Sequence, residues 1–265
     1  MSETQTVIGL GRWTTRLLAA ILLGGQVMVH LLTRKIHRRN TLDQMALVGP
    51  ASLFIALITA AFVGMVFTIQ VAREFITLGA GSAVGGVLAL ALCRELAPVL
   101  TAVVLAGRVG SAFAAELGTM QVTEQIDALY VLKTDPIDYL VIPRVVACCL
   151  MLPLLTIFSL FTGLAGGLLI ATTLYGISQT VFLDSVQNFL GIWDLFSAPL
   201  KGFFFGALIA VIGSSWGLTT TGGAKGVGQS TTTAVVTSLL AIFISNFFLS
   251  WIMFQGTGSA VIPGG

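Results

Sequence analysis

The chain is expected to be an all-α integral membrane protein, and three observations carry that expectation. Of its 265 residues, 56% are hydrophobic and only 9% charged, with a mean hydropathy of +0.98. A soluble domain carries about 25% charged residues, so this chain cannot clothe a water-facing surface. Its apolar runs are near 20 residues or longer, which suits helices crossing a bilayer rather than strands of roughly 10. Lysine and arginine are also shared unevenly among the connecting segments.

Five spans are expected, at roughly 45–72, 83–113, 138–171, 198–220 and 231–256. Each is long enough for a hydrocarbon core about 30 Å thick at 1.5 Å per residue. Residues 8–33 are apolar but interrupted by Arg12, Trp13, Arg16, Gln26 and His30, and the basic run Arg34-Lys35-Ile36-His37-Arg38-Arg39 follows. That pattern reads as an amphipathic helix in the interface rather than a sixth span. The chain thus divides into an N-terminal interfacial segment over 1–40, a membrane domain over 41–256 and a short Gly-rich tail over 257–265. Nothing at the N-terminus reads as a removable signal peptide.

A cytoplasmic N-terminus puts Arg12, Arg16, Arg34, Lys35, Arg38, Arg39, Arg108, Lys133, Arg144 and Lys225 on the inner side. The outer side then keeps Arg73, and the outer loop 172–197 has no basic residue, only Asp184 and Asp194. This is the positive-inside pattern. Val181, Phe182, Val186, Phe189 and Leu190 suggest a short outer helix resting on the membrane. Gly163 and Gly167, Gly202 and Gly206, Gly213 and Gly217, and Gly110 and Ala114 stand four apart, a spacing that lets helix backbones approach. Packing within one chain is the expectation for these. Cys93, Cys148 and Cys149 have neither disulfide nor zinc spacing and read as small helix residues.

Catalytic chemistry finds no support, because no carboxylate pair or nucleophile–base arrangement falls at a useful spacing. Gly223-Ala224-Lys225-Gly226-Val227-Gly228-Gln229-Ser230 is a near miss for a phosphate loop, with Gln229 where lysine is required and a membrane helix before it. It reads instead as a tight turn, with Ser230, Thr231 or Thr232 capping the next helix. No cofactor is expected in this chain, and ATP-driven work would need a motor on another polypeptide.

Two features remain. Arg94 and Glu95 lie within an apolar span, where charge is expensive. As i, i+1 neighbours they do not face one another, so each needs a partner elsewhere. Lys201 is placed to join them, and the three together carry net +1, which suits an amphipathic anion. A register-fixing ion-pair network is the alternative. Pro98 permits a kink. The second feature is the segment 116–133, read as one rigid acidic helix with Thr119 as N-cap and Asp135-Pro136 at its end. Met120, Val122, Ile126, Leu129 and Tyr130 are its apolar positions and Gln121, Glu124, Gln125 and Asp127 stay polar, so the helix would dock into a groove on a cytoplasmic partner, or it would lie on the bilayer.

The blocks Arg94-Glu95-Leu96-Ala97-Pro98-Val99-Leu100-Thr101, Ala106-Gly107-Arg108-Val109-Gly110-Ser111-Ala112, Ala115-Glu116-Leu117-Gly118-Thr119-Met120 and Thr123-Glu124-Gln125-Ile126-Asp127-Ala128-Leu129 resemble the MlaE family of ABC-transporter permeases. The resemblance continues through Asp135-Pro136, Pro143-Arg144, Pro153-Leu154-Leu155 and Gly222-Gly223-Ala224-Lys225-Gly226-Val227-Gly228, covering about 40–256. It implies a homodimer moving phospholipids between membranes, with ATP and magnesium on a separate cytoplasmic ATPase and an MCE-domain protein on the outer side. It also implies that Arg94, Glu95 and Lys201 bind lipid, and that Glu116, Met120, Glu124, Gln125 and Asp127 couple to the ATPase. The Gly222–Val235 block looks most like the cyanobacterial and plastid version. A bacterial plasma membrane is the expected location, with the plastid inner envelope as the alternative. An ion-coupled secondary transporter and a scaffold without a pore are the competing readings.

Overall fold

The computed structural model describes residues 3–33 and 38–255, and side chains from Trp13 onward except Leu32 and Gln255. Most of the basic run at 34–39 and the tail at 257–265 therefore lie outside the described residues. Among the described residues there is no strand.

Helix α1 runs Glu3–Thr33 and α2 runs Arg38–Val48; α3, Pro50–Thr77, starts with proline in its first turn, where the missing N–H costs nothing. Gly79 ends α3 at φ 74°, and its N–H and that of Ala80 donate to Ile76 and Phe75 carbonyls at 3.0 and 2.8 Å, a Schellman closure. The second apolar run, Gly81–Val122, is assembled from α4 (Val84–Ala91), α5 (Ala97–Leu105) and α6 (Ser111–Val122), joined by π-helical turns at Leu92–Leu96 and Ala106–Gly110. Short α7 (Gln125–Val131) follows, and a third π turn at Ile137–Val141 opens α8 (Ile142–Thr173). The chain closes with α9 (Gln179–Phe189), α10 (Ile192–Leu218) and α11 (Gly223–Gln255).

The five expected spans are all present as long apolar helical runs, with mean hydropathy between 1.9 and 2.4. Trp13–Leu31 also reaches spanning length, at a lower 1.3. Several local expectations are corrected. Segment 116–133 is not one helix: α6 carries the first part, Glu124 breaks it at φ 60°, and α7 is a separate element. Thr119 is no N-cap, since its hydroxyl donates back to the Ala115 carbonyl within α6. Likewise α11 starts at Gly223, so Thr231 and Thr232 sit inside it and donate to Val227 and Gly228 carbonyls. The tight turn shrinks to Gly222 and Gly223, at φ 90° and 64°.

The chain forms two compact units. One takes residues 1–48, 105–148 and 206–241. Its core gathers Ala20, Ala114, Ile212, Trp216 and Ala234, with a second cluster of Leu117, Ile126 and Leu140. Here Gly213 faces the Gly110 backbone and Gly217 faces Leu117 and Ala114. The other unit takes 49–104, 149–205 and 242–265, with Leu88, Leu92, Cys93, Ala97, Leu160, Ala171 and Phe182 as its core. A side chain on Gly64 would strike the Gly163 carbonyl, so these two backbones meet directly. The small-residue pairs thus pack helices within one chain. All three cysteines are buried, and none is in a disulfide among the described residues.

Helix α9, Gln179–Phe189, is present as expected for the outer segment, and one of its faces is buried within the chain. It packs on α4, with Phe182 1% exposed against Gly85, and Phe189 over Gly86. The Ser185 hydroxyl accepts the Gly86 N–H at 2.9 Å. Adjacent glycines give α9 a groove that side chains would fill.

Candidate functional site

The π turn Leu92–Leu96 carries Arg94 and Glu95, and the structure gives each a partner on α10. Arg94 Nε donates to Asp194 Oδ1 at 2.7 Å, and Lys201 Nζ meets Glu95 Oε1 at 3.0 Å. All three predicted lipid-binding residues are therefore brought together. Lys201 is fully buried, with no exposed side-chain surface. Its ammonium also donates to the Arg94 carbonyl at 2.5 Å, Asn246 Oδ1 at 3.0 Å and Ser250 Oγ at 2.7 Å. The Arg94 carbonyl is available because the residue four positions on is Pro98, which has no N–H to offer it. Proline here serves less as a kink than as the reason an acceptor stands open for Lys201.

Glu95 is equally well held. Asn246 Nδ2 donates to Oε2 and Ser250 Oγ to Oε1, both at 2.6 Å. Asp194 sits in the first turn of α10, where its second oxygen accepts the Gly191 N–H at 3.0 Å, half of a capping box at a helix end that favours an anion. The Phe254 ring lies under both cations, 4.6 Å from the Arg94 guanidinium carbon and 5.7 Å from Lys201 Nζ.

Asp194 changes the charge sum. Arg94 and Lys201 balance Glu95 and Asp194, so the cluster is neutral, and the expectation of net +1 is overturned. Asp194 was assigned to an outer loop, whereas α10 begins before it, at Ile192. Its signal was the Gly191-to-Asp194 spacing of a helix start. Asn246, Ser250 and Phe254 stand at i, i+4, i+8 on α11, a stripe legible once a partner for Glu95 is sought. The cluster is not sealed: the Arg94 and Glu95 side chains remain 40% and 43% exposed.

The predicted coupling residues fall in the other unit, and they do not form one face. Glu116 pairs with Arg144 Nη2 at 2.9 Å, and Met120 packs on the Leu117–Ile126–Leu140 cluster. Glu124, Gln125 and Asp127 are exposed around the break and the start of α7. Past them, Tyr130, Val131 and Leu132 are 61%, 83% and 72% exposed, an apolar patch of which the sequence marks Tyr130 alone. Lys133 then closes α7 at φ 56°, its N–H on Tyr130 and that of Thr134 on Leu129. His30 of α1 was likewise missed as a structural tie. Its Nδ1 donates to Asp138 Oδ1 at 2.6 Å and lies 3.9 Å from Asp135 Oδ2. Arg144 is buried beside the Phe113 ring, with Nη1 on the Leu140 carbonyl at 2.8 Å.

A family model covers both the charge cluster and the break at Glu124. The model described as Permease MlaE matches residues 41–252. The chain belongs to the MlaE permease family. This permease is 69% identical over 262 residues to a probable ABC transporter permease protein of Synechocystis, covering 99% of this chain and all of that one. It is 55% identical over 250 residues to the protein Trigalactosyldiacylglycerol 1, chloroplastic, of Arabidopsis thaliana, covering 94% of this chain and 71% of the plant protein. A probable ABC transporter permease protein of Pyropia yezoensis is 50% identical over 254 residues, 96% of this chain and 97% of that one. The MlaE permease is the membrane component of an ABC transporter, and that transporter's ATPase is its partner.

Proposed function

We propose that this MlaE permease moves phospholipids between membranes, as a homodimer working with a cytoplasmic ATPase and an outer MCE-domain protein. One observation carries the lipid reading: a hydrogen-bonded charge cluster within apolar helices that leaves Arg94 and Glu95 each about two-fifths exposed. Their exposed portions leave charge of both signs within reach of an occupant. Here Lys201 and Asp194 are enclosed and serve as the anchors, while Arg94 and Glu95 present one charge of each sign to an occupant. Such a pair suits a polar head group without requiring net negative charge. The Arabidopsis relative's name contains a galactolipid, which supports lipid as the substrate class.

On this reading α1 lies in the interface, with its N-terminus in the cytoplasm, as the excess of basic residues on that side favours. The chain itself holds neither ATP nor metal. Residues 41–256 form the permease domain, and the location is a bacterial plasma membrane or its plastid counterpart. The ATPase docks on Glu124, Gln125, Asp127 and the apolar Tyr130–Leu132 patch, with Glu116 and Met120 holding that surface in place. The acidic residues set the approach and the apolar ones provide contact area.

Proteoliposomes containing the permease and its ATPase test this directly. ATP-dependent transfer of labelled phospholipid is expected, with co-purification of the ATPase lost in Asp127→Lys. Transfer that proceeds equally without ATP would point to an ion-coupled carrier, and its complete absence to a scaffold.

A further inference from the structure

The half-exposed pair Arg94 and Glu95 has bonding capacity left over, and the atoms in question differ in kind. Among the described residues Arg94 commits Nε alone to a hydrogen bond, on Asp194 Oδ1 at 2.7 Å. Both terminal nitrogens of the guanidinium can therefore donate in parallel to one acceptor group. A carboxylate accepts at about four positions. Three are filled on Glu95: Lys201 Nζ at 3.0 Å and Ser250 Oγ at 2.6 Å on Oε1, and Asn246 Nδ2 at 2.6 Å on Oε2. One position on Oε2 is left for a donor. An occupant meets a donor fork and an acceptor together.

Charge decides what kind of occupant that is. Arg94 and Lys201 offset Glu95 and Asp194, so the cluster has nothing left to neutralise. The unit around it supplies no surplus cation either. Over residues 49–104, 149–205 and 242–265 the sequence sets Arg73, Arg94 and Lys201 against Glu74, Glu95, Asp184 and Asp194. Residues 256–265 add no acidic or basic side chain. A net anionic head group would bring an unbalanced charge among apolar helices, which is the costly case. A head group with a donor, an acceptor and no net charge brings none.

We propose that the Arg94–Glu95 opening selects lipids whose head group has no net charge, accepts from Arg94 and donates to Glu95, and that it rejects anionic ones. This rests on the cluster being a lipid site and adds a rule of choice to it. Two head-group chemistries meet the rule. In a zwitterionic phospholipid with a primary ammonium, the phosphate takes the Arg94 fork and the ammonium takes the open position on Glu95. In a glycosyl lipid, hydroxyls serve both, since each donates and accepts. The zwitterion is the stronger match, because both of its bonds are charge-assisted.

The test is native mass spectrometry of the permease with its ATPase in mild detergent. Phosphatidylethanolamine, phosphatidylglycerol and a monogalactosyl diacylglycerol, with matched acyl chains, are titrated separately. The parent should bind phosphatidylethanolamine about tenfold more tightly than phosphatidylglycerol, a modest ratio because solvent partly screens both presented charges. The galactosyl lipid should fall between them. Glu95→Gln removes one negative charge and leaves the cluster at net +1, so preference should reverse toward phosphatidylglycerol. Asp194→Asn does the same from the buried side and supplies a second variant. A merely structural role would weaken all three lipids together and leave their ratio unchanged. Phosphatidylglycerol bound as tightly as phosphatidylethanolamine in the parent overturns the proposal, as does an unchanged ratio in both variants. Tightest binding of the galactosyl lipid, with phosphatidylglycerol weakest, upholds selection by net charge and assigns the site to hydroxyls. If Arg94→Gln retains all three lipids as the parent does, the lipid reading itself fails and this rule with it. If Arg94→Gln loses them while the parent shows no preference, the rule alone fails.

Discussion

Lys201 and Arg94 bear the same charge in the same cluster, yet they respond differently to substitution. The Lys201 ammonium is enclosed and shared among Glu95, Asn246, Ser250 and the Arg94 carbonyl. Lys201→Met takes the cation from Glu95 and the donor from the Arg94 carbonyl; because Glu95 is 43% exposed and keeps its bonds from Asn246 and Ser250, the loss is on the order of 1–3 kcal/mol. Thermal unfolding in detergent should show a large fall in midpoint. Arg94 is 40% exposed and meets Asp194 through Nε alone, a bond that the amide of Arg94→Gln can still donate, so this variant should fold with a smaller fall in midpoint. The need for these partners was legible in the sequence, because adjacent helical charges cannot satisfy one another. Asp194 was not, since a helix start two residues before it looked like loop. Nor was the bond from Lys201 to the Arg94 carbonyl, which depends on what Pro98 lacks.

Elements meet where glycine removes a side chain. Gly64→Val would drive a branched side chain into the Gly163 carbonyl, and Gly86→Leu would displace the Phe189 ring from α4. Both should lower the yield of folded protein on size-exclusion chromatography. Gly25→Ala meets nothing within 4 Å and should be tolerated. The left-handed break at Glu124 makes a separate prediction. Glu124→Gly keeps the turn, whereas Glu124→Val places a β-branched residue at φ 60°, costing about 1–2 kcal/mol. Protease protection of the α6–α7 junction reads the difference. This break was hidden because helices usually turn left-handed at glycine, and here glutamate and then Lys133 do so. The three π turns were hidden too, since one extra residue in a helical turn leaves no mark on hydropathy. Span positions were readable, because length and apolar content decide them. The docking of α9 was not, because it depends on Gly85 and Gly86, about a hundred positions away.

Across the whole molecule, charge is scarce and concentrated in a few places. One is the neutral cluster in the unit of Arg94, Glu95, Asp194 and Lys201. Another is the acidic break around Glu124. Membership of the MlaE family makes the chain an ABC permease, and in the proposed function the half-open cluster is what links that role to lipid. Native mass spectrometry of the permease–ATPase complex, parent against Arg94→Gln, tests that link most directly. Loss of most co-purifying phospholipid from an otherwise intact complex is the predicted result. Equal lipid in both proteins would contradict the account and return the cluster to a purely structural role.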